Sequence, residues 1–94
     1  FECGSLDVEI HGNIKRELSD KLHPELKLDI HGDIYGNIGN YYNPIENCDI
    51  NCINVYGNIQ HIKGGRIYVA GNVYSVGPIF GGRVQVSGKI RKRN

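Results

Sequence analysis

One pattern occurs twice near the end of the chain: Gly64-Gly65-Arg66-Ile67-Tyr68-Val69-Ala70-Gly71-Asn72-Val73 and, seventeen residues later, Gly81-Gly82-Arg83-Val84-Gln85-Val86-Ser87-Gly88-Lys89-Ile90. As a template, both copies are apolar-x-apolar-x-Gly-x-apolar after a Gly-Gly-Arg turn. Alternation of aliphatic and polar residues is typical of a strand with one buried side. The glycine that follows lets the chain turn a corner. Each copy therefore predicts a strand, a corner and a second strand.

Three further stretches match the template: Val8-Glu9-Ile10-His11-Gly12-Asn13-Ile14, Leu28-Asp29-Ile30-His31-Gly32-Asp33-Ile34 and Ile53-Asn54-Val55-Tyr56-Gly57-Asn58-Ile59. The predicted corner glycines are Gly12, Gly32, Gly57, Gly71 and Gly88. A meander of hairpins would more often show two-residue Asn-Gly turns, so one corner per repeat favours a coil of stacked rungs. The sequence predicts an all-β fold, a small single-stranded β-helix or solenoid of about five irregular rungs. A β-sandwich or roll built from the same strands is the alternative.

The template assigns its positions to the inside or the outside of the coil. The first, third and seventh positions should stack into interior aliphatic ladders, so Val55→Asp or Val69→Asp should unfold the domain by burying a charge. The sixth position should form a column of hydrogen-bonding side chains, as amides do in parallel stacks. That column comprises Asn13, Asp33, Asn58, Asn72 and Lys89.

Uneven spacing of the repeats locates two insertions in one domain of residues 1–94. The first, near residues 15–25, is charged; it is long enough for one or two helical turns over 15–22 but too short and polar to predict them. The second, near residues 39–48, resembles a protruding loop that carries Tyr41 and Tyr42. A basic tail is predicted at 91–94. Insertions in stacked repeats often form the side that binds partners.

Composition bounds the function classes. Eleven Lys and Arg against ten Asp and Glu give no strong charge to steer the chain toward a polyanion. No apolar run is long enough to span a bilayer. Three cysteines are an odd and sparse set, which indicates a reducing compartment, most simply the cytoplasm. The chain begins at Phe1 and contains no Met, so a processed or trimmed start is expected.

Two groups of residues have the chemistry of metal ligands. Cys48 and Cys52 lie on one face of an alternating strand with Ile50, where two thiols are ordinary core residues and a zinc site is the less favoured alternative. His11 and His31 share one template position and would stack on the surface if their rungs are adjacent. Such a pair could bind a transition metal, but a solvated face is favoured because later rungs hold other residues there. The sequence predicts no metal or cofactor site.

Catalysis finds little support in the sequence. The serines have no nucleophile-elbow context, and the carboxylates suggest no pair with separated pKa values in a cleft. The chain is therefore predicted not to be an enzyme. Candidate partner-binding residues are the loop tyrosines and the exposed cations: Tyr41, Tyr42, Arg66, Arg83, Arg91, Lys92 and Arg93.

The corner motifs resemble those of bactofilins, bacterial polymer-forming proteins built on a β-helix. The matching pieces are Ile30-His31-Gly32-Asp33-Ile34-Tyr35-Gly36-Asn37-Ile38 and Val55-Tyr56-Gly57-Asn58-Ile59. The stretch from Gly65 to Val73 is also similar to the β-helical domain of the bacterial septum-site inhibitor and to the glycine-rich domain of glutamate synthases, and small phage repeat proteins share its Gly-Asn-Val motif. The resemblance implies a structural module, and the irregular repeats and the two insertions depart from the bactofilin pattern.

Two functions follow as expectations. The first is a non-enzymatic module that self-associates through the surfaces or ends of the solenoid, because the ends of a stacked column carry unpaired backbone groups. A homo-oligomer is expected on this hypothesis. The second is a binding module for a partner protein or nucleic acid that uses the insertion loops and the basic tail. Nucleic acid is the less favoured partner because the net charge is close to zero.

Overall fold

A computed structural model describes residues 6–18 and 26–93, with the side chains of residues 8–18 and 27–92. Eight strands lie in this part of the chain. They are β1 (Leu6–His11), β2 (Leu26–His31), β3 (Asp49–Cys52), β4 (Val55–Ile59), β5 (Arg66–Val69), β6 (Val73–Val76), β7 (Arg83–Val86) and β8 (Ile90–Arg93). All are short, as expected where each strand ends at a corner.

The strands form two parallel sheets. One has five strands in the order β1-β2-β3-β5-β7, and the other has three in the order β4-β6-β8. Parallel neighbours cannot be joined by a tight hairpin, so the chain travels once around the molecule between one strand and the next. The predicted β-helix is therefore confirmed, and the sandwich or roll alternative, which would be built from antiparallel pairs, is wrong.

Each complete circuit of the coil is a rung with three faces. Face A is the five-stranded sheet. Face B contains β4, β6 and β8 together with residues 14–18 and 34–38 of the first two rungs, which join it through isolated bridges. Face C is the narrowest and is held by parallel bridges from Ile45 to Ile62 and from Ile62 to Ile79. Five rungs are stacked in the described residues, with a constant interval of seventeen residues over the last three.

Aliphatic side chains from the three faces fill the centre of the coil. In the predicted interior positions of the second and fourth rungs, no side chain is more than 2% exposed; these are Leu28, Ile30, Ile34, Ile67, Val69 and Val73. The equivalent residues of the first and fifth rungs are only partly buried, because each has a neighbouring rung on one side only within the described residues. Full burial of one such side chain stabilises the fold by about 1.5–3 kcal/mol. The predicted ladders are confirmed for these four rungs.

The third template match is out of register. Ile50 of β3, not Ile53, pairs with Leu28 on face A. Ile53 lies at the corner, where its N–H donates to the carbonyl of Gly32 at 3.0 Å and its side chain is 44% exposed. Val55 pairs with Ile34 and is 1% exposed. The interior prediction is therefore right for Val55 and wrong for Ile53.

The misplaced match moves Gly57 to a different corner. Gly12, Gly32, Gly71 and Gly88 lie between faces A and B as predicted, with Ile53 between them in the third rung. Gly57 lies within face B beside Gly36, and a Cβ on Gly57 would collide with the carbonyl of Gly36. The sequence from Val55 to Ile59 therefore repeats the second half of the preceding rung and not its first half.

A chain of side-chain oxygens holds the corner between faces A and B. In each pair the side-chain oxygen of one rung accepts the backbone N–H of the next rung: Asn13 from Asp33 (2.8 Å), Asp33 from Asn54 (3.2 Å), Asn54 from Asn72 (2.8 Å) and Asn72 from Lys89 (2.8 Å). The predicted column exists, with Asn54 as its third member. Asn58 belongs to a second column, where its N–H donates to Asn37 Oδ1 at 2.8 Å.

The Gly-Gly-Arg turns form the corner between faces C and A. Gly65 has φ +77° and Gly82 has φ +74°, a backbone conformation that L side chains rarely adopt. A Cβ on Gly65 would also collide with the carbonyl of Cys48, the group that accepts the N–H of Arg66 at 3.1 Å. These two glycines let the chain turn tightly against the rung below, which explains why the doublet is the most regular part of the sequence.

Both predicted insertions are shorter than expected. Leu18 is 2% exposed and its N–H donates to Asn37, so residues 15–18 belong to face B and form no helical turn. The remainder of the first insertion, 19–25, lies outside the described residues. The second insertion is limited to residues 39–44, because Ile45 is fully buried in face C. Buried aliphatic residues in both stretches keep the backbone in the coil.

Residues 90–93 form β8, which pairs with β6 in parallel, so the predicted basic tail is instead the last strand of face B. Its register places Arg93 opposite Val76, in the position that Leu18, Ile38 and Ile59 occupy in the interior of earlier rungs. Lys89 ends the corner column because its side chain has no oxygen to accept a further N–H. The fifth rung therefore places basic residues in two columns that are aliphatic or amide in the rungs before it.

Candidate functional site

Among the side chains that the structure describes, the most exposed large apolar ones cluster on face C. Tyr41, Tyr42 and Phe80 are 74%, 85% and 67% exposed. The ring centroids of Tyr41 and Tyr42 are 5.3 Å apart in an edge-on arrangement. The centroid of the His61 ring lies 5.8 Å from that of Tyr41 and 6.4 Å from that of Phe80. We call Tyr41, Tyr42, His61 and Phe80 the aromatic patch. Pro44 and Lys63 border the hollow between its rings.

A short loop positions the two tyrosines of the aromatic patch. Asn40 Oδ1 accepts the N–H groups of Tyr42 and Asn43, both at 2.8 Å, which fixes a tight turn. The Asn40 amide also donates to the Glu17 carboxylate of the first rung. His61 has φ +54° and brings its ring under Tyr41. Three rungs therefore contribute to one continuous surface, which the sequence could indicate only through the Tyr41-Tyr42 pair.

The predicted cations lie on other faces of the coil. Arg66 and Arg83 are exposed neighbours on face A, paired through β5 and β7. Arg91 and Lys92 are exposed on β8 in face B, and Arg93 is placed there by its backbone register alone. The seven candidate partner residues therefore do not form one site. The two tyrosines belong to the aromatic patch on face C, whereas the cations lie on the fourth and fifth rungs, on faces A and B.

A column of tyrosines on face B is absent from the sequence-based candidates. Tyr35, Tyr56 and Tyr74 each follow an interior residue of successive rungs and are 43–51% exposed. The rings of Tyr35 and Tyr56 are stacked at 5.0 Å with an interplanar angle of 12°. Each tyrosine directly follows an interior aliphatic residue, which is Ile34, Val55 or Val73. This shared position could have indicated the column, but the out-of-register match of the third rung gave Tyr56 a different template position.

Cys48 and Cys52 lie in the core with Ile50, as predicted. They are 0% and 4% exposed, and Cys52 occupies an interior ladder between Ile30 and Val69. Burial, with a smaller contribution from the charge of Asp33, raises the pKa of Cys52 to about 12. The thiol is therefore neutral near pH 7 and acts as a small apolar side chain.

The two histidines on face A stack as expected for adjacent rungs. Their ring centroids are 4.7 Å apart with an interplanar angle of 7°. Glu9 accepts from both rings, with Oε1 3.3 Å from His11 Nε2 and Oε2 2.9 Å from His31 Nε2. Hydrogen bonds to His31 and then to His11 hold the pKa of the Glu9 carboxyl below its ordinary value. The sequence predicted the stacked pair but not the carboxylate between the two rings.

Comparisons with protein-family models, curated proteins and solved structures gave no match to this chain. Across the described residues, no helix is long and apolar enough to cross a membrane.

Proposed function

We propose that the chain is a non-enzymatic structural module that self-associates through the side of its coil, with the aromatic patch as the contact. The observation that carries this proposal is the clustering of Tyr41, Tyr42 and Phe80, each at least two thirds exposed, on one face. Contiguous exposed aromatic surface is characteristic of protein interfaces, and the residues that dominate binding energy there are often aromatic.

A second copy of the chain is the partner that suits this surface. The patch is formed by aromatic rings, with Lys63 as the cation at the border of its hollow. Two such patches can meet across a twofold axis without placing many like charges against each other. Aromatic rings also pack well against other aromatic rings, with edge-to-face contacts worth about 0.5–1.5 kcal/mol beyond the area they bury.

The residues of the fifth rung favour association through the side of the coil over stacking of a second copy on this end. By backbone register, the position that is aliphatic in earlier rungs is held by Arg93 in the fifth, so a further rung would stack on a basic residue and not on an aliphatic one. Lys89 offers no oxygen to continue the corner column. The basic rung therefore resembles the polar capping repeat of a solenoid. The proposal keeps the structural role that the bactofilin resemblance implies but favours a closed oligomer over a filament.

Sedimentation velocity over micromolar to millimolar concentrations tests this proposal. We expect a species heavier than the 10.5 kDa chain whose fraction rises with concentration. A Tyr42→Ser, Phe80→Ser double variant should raise the dissociation constant by about tenfold or more, since truncating a central interface aromatic often costs about 2 kcal/mol. Both residues are exposed, so the folded coil should persist in the variant.

Tyr74→Ser on face B is the matched control for this experiment, because it removes an exposed tyrosine of the same size from another face. It should leave the dissociation constant unchanged. A wild-type chain that stays monomeric across the whole range would overturn the proposal. An equal loss of association in the Tyr74→Ser control would place the contact elsewhere.

The second candidate function is binding of an anionic partner at the fifth rung. Residues 83–93 contain five Lys or Arg and no Asp or Glu. Arg83 stands beside Arg66 across the parallel strands, and like charges in such positions destabilise a sheet unless an anion lies between them. A phosphate backbone is an anion of this kind, and its contacts are made chiefly by Lys and Arg.

Fluorescence anisotropy with labelled single-stranded and duplex oligonucleotides tests the second candidate. Binding should weaken as salt rises, and Arg83→Ser should reduce the slope of that dependence by about one phosphate contact. Lys15→Ser, which removes an exposed cation from the first rung, should leave the slope unchanged. Absence of binding by the intact chain at low salt would eliminate this function.

A further inference from the structure

Four side chains with metal-binding chemistry occupy adjacent positions on the outer side of face A. The register of β1 and β2 places Glu9 opposite Asp29 and His11 opposite His31. Side chains two residues apart on a strand point to the same side, and neighbouring strands lie about 4.8 Å apart. The two carboxylates and two imidazoles therefore form a square of potential ligands that spans the first two rungs.

The donor atoms of this square converge on one point. Both Nε2 atoms face the Glu9 carboxylate, at 3.3 Å and 2.9 Å, and Asp29 Oδ2 lies 3.7 Å from His31 Nε2. The ligand atoms of Glu9, His11 and His31 all lie within 4.8 Å of one another. Small side-chain rotations would therefore place two nitrogens and one oxygen around a single ion at bonding distances of about 2.0–2.2 Å.

We propose that Glu9, His11 and His31 bind one divalent transition-metal ion, with Zn²⁺ as the representative case. Two imidazoles and one carboxylate are a ligand set that zinc uses in proteins, whereas Mg²⁺ and Ca²⁺ prefer oxygen ligands throughout. Asp29 is placed to give a further oxygen or to accept a hydrogen bond from a ligand. In this arrangement the metal would lie where the two Nε2 atoms now face the Glu9 carboxylate.

The charges around the square suit a cation. Glu9 and Asp29 together contribute two carboxylates beside the two imidazoles. Lys27 is an exposed cation on the same strand as Asp29, two residues away. A bound metal would also join the first rung to the second. β1 pairs only with β2 among the described strands, so the ion would stabilise a strand at the edge of the sheet.

Isothermal titration of the full chain with Zn²⁺ under reducing conditions tests the site. We expect one zinc ion per chain, and slower amide hydrogen exchange in β1 when zinc is bound. Glu9→Gln and His31→Gln should each weaken binding by at least about tenfold, because loss of even an outer-shell partner often costs that much. These side chains are exposed, so both variants should melt like the wild type without metal.

Matched variants distinguish this site from the other potential ligands of the chain. His61→Asn removes a histidine from face C and should leave zinc affinity unchanged, as should Cys3→Ser and His23→Gln. The Tyr42→Ser, Phe80→Ser variant should also keep its zinc site, so the result does not depend on self-association. The inference is overturned if millimolar zinc does not bind, or if binding survives in a His11→Gln, His31→Gln double variant.

Discussion

At the residue scale, a single side-chain oxygen in each rung links one corner to the next. Asn54 is the central member of this column. Its Oδ1 accepts the N–H of Asn72 at 2.8 Å, and its Nδ2 donates to Asp33 Oδ1 at 3.1 Å. Because the chain leaves the regular strands at this corner, the side chain replaces a bond that the sheet ladder would otherwise supply. The corner column is thus a second set of inter-rung bonds beside the sheets.

Asn54→Ala tests the contribution of the corner column. The change removes the acceptor of the Asn72 N–H, and a typical intramolecular hydrogen bond contributes about 0.5–1.5 kcal/mol to stability. We expect the free energy of unfolding in urea to fall by that amount. Asn51→Ala, on the outer side of β3, is the matched control and should change it by less than about 0.5 kcal/mol. Equal losses in the two variants would show that the column contributes nothing specific.

At the element scale, the strands were predictable because alternation marks them directly. The interior positions of β1, β2, β5 and β7 follow from the template. The parallel stacking follows from its single corner per repeat. The corner glycines were a less reliable guide to the positions of the corners. Among the glycines between faces A and B, only Gly12 has a positive φ. The corner does not require a left-handed backbone, so Ile53 can occupy it in the third rung, and a template anchored on glycine missed this.

The residues at which the coil gives way to a loop were harder to predict, because charged residues can occupy the outward positions of the coil. Lys15, Arg16 and Glu17 suggest an insertion, yet Ile14 and Leu18 on either side of them both bridge to the next rung and keep this segment in face B. The charged sequence of β8 suggests a tail, yet the pairing of Ile90 with Val73 continues face B to Arg93. In a coil only every second side chain points inward. Short charged segments can therefore belong to it as long as one or two aliphatic residues are correctly placed.

At the scale of the whole molecule, the register of the rungs decides which distant residues become neighbours on the surface. It separates the predicted partner residues, placing the tyrosines on face C and the arginines on faces A and B. It also brings together residues that are distant in the sequence, such as Glu9 with His31 and Tyr41 with Phe80. These groupings were not predictable in full, because rung lengths vary and the side-chain columns shift with them.

All of these surfaces depend on the register of the third rung, and a comparison of two variants can check that register. Ile53→Asp and Val55→Asp introduce the same charge two residues apart. The template treats both positions as interior, whereas the structure buries only Val55.

Urea unfolding should show that Ile53→Asp lowers the free energy of unfolding by less than about 1 kcal/mol, because the exposed corner leaves the carboxylate in water. Val55→Asp should lose several kcal/mol or fail to fold, as about 3 kcal/mol or more is expected for an unpaired buried charge. Equal destabilisation by the two variants, or greater loss from Ile53→Asp, would contradict the coil described above.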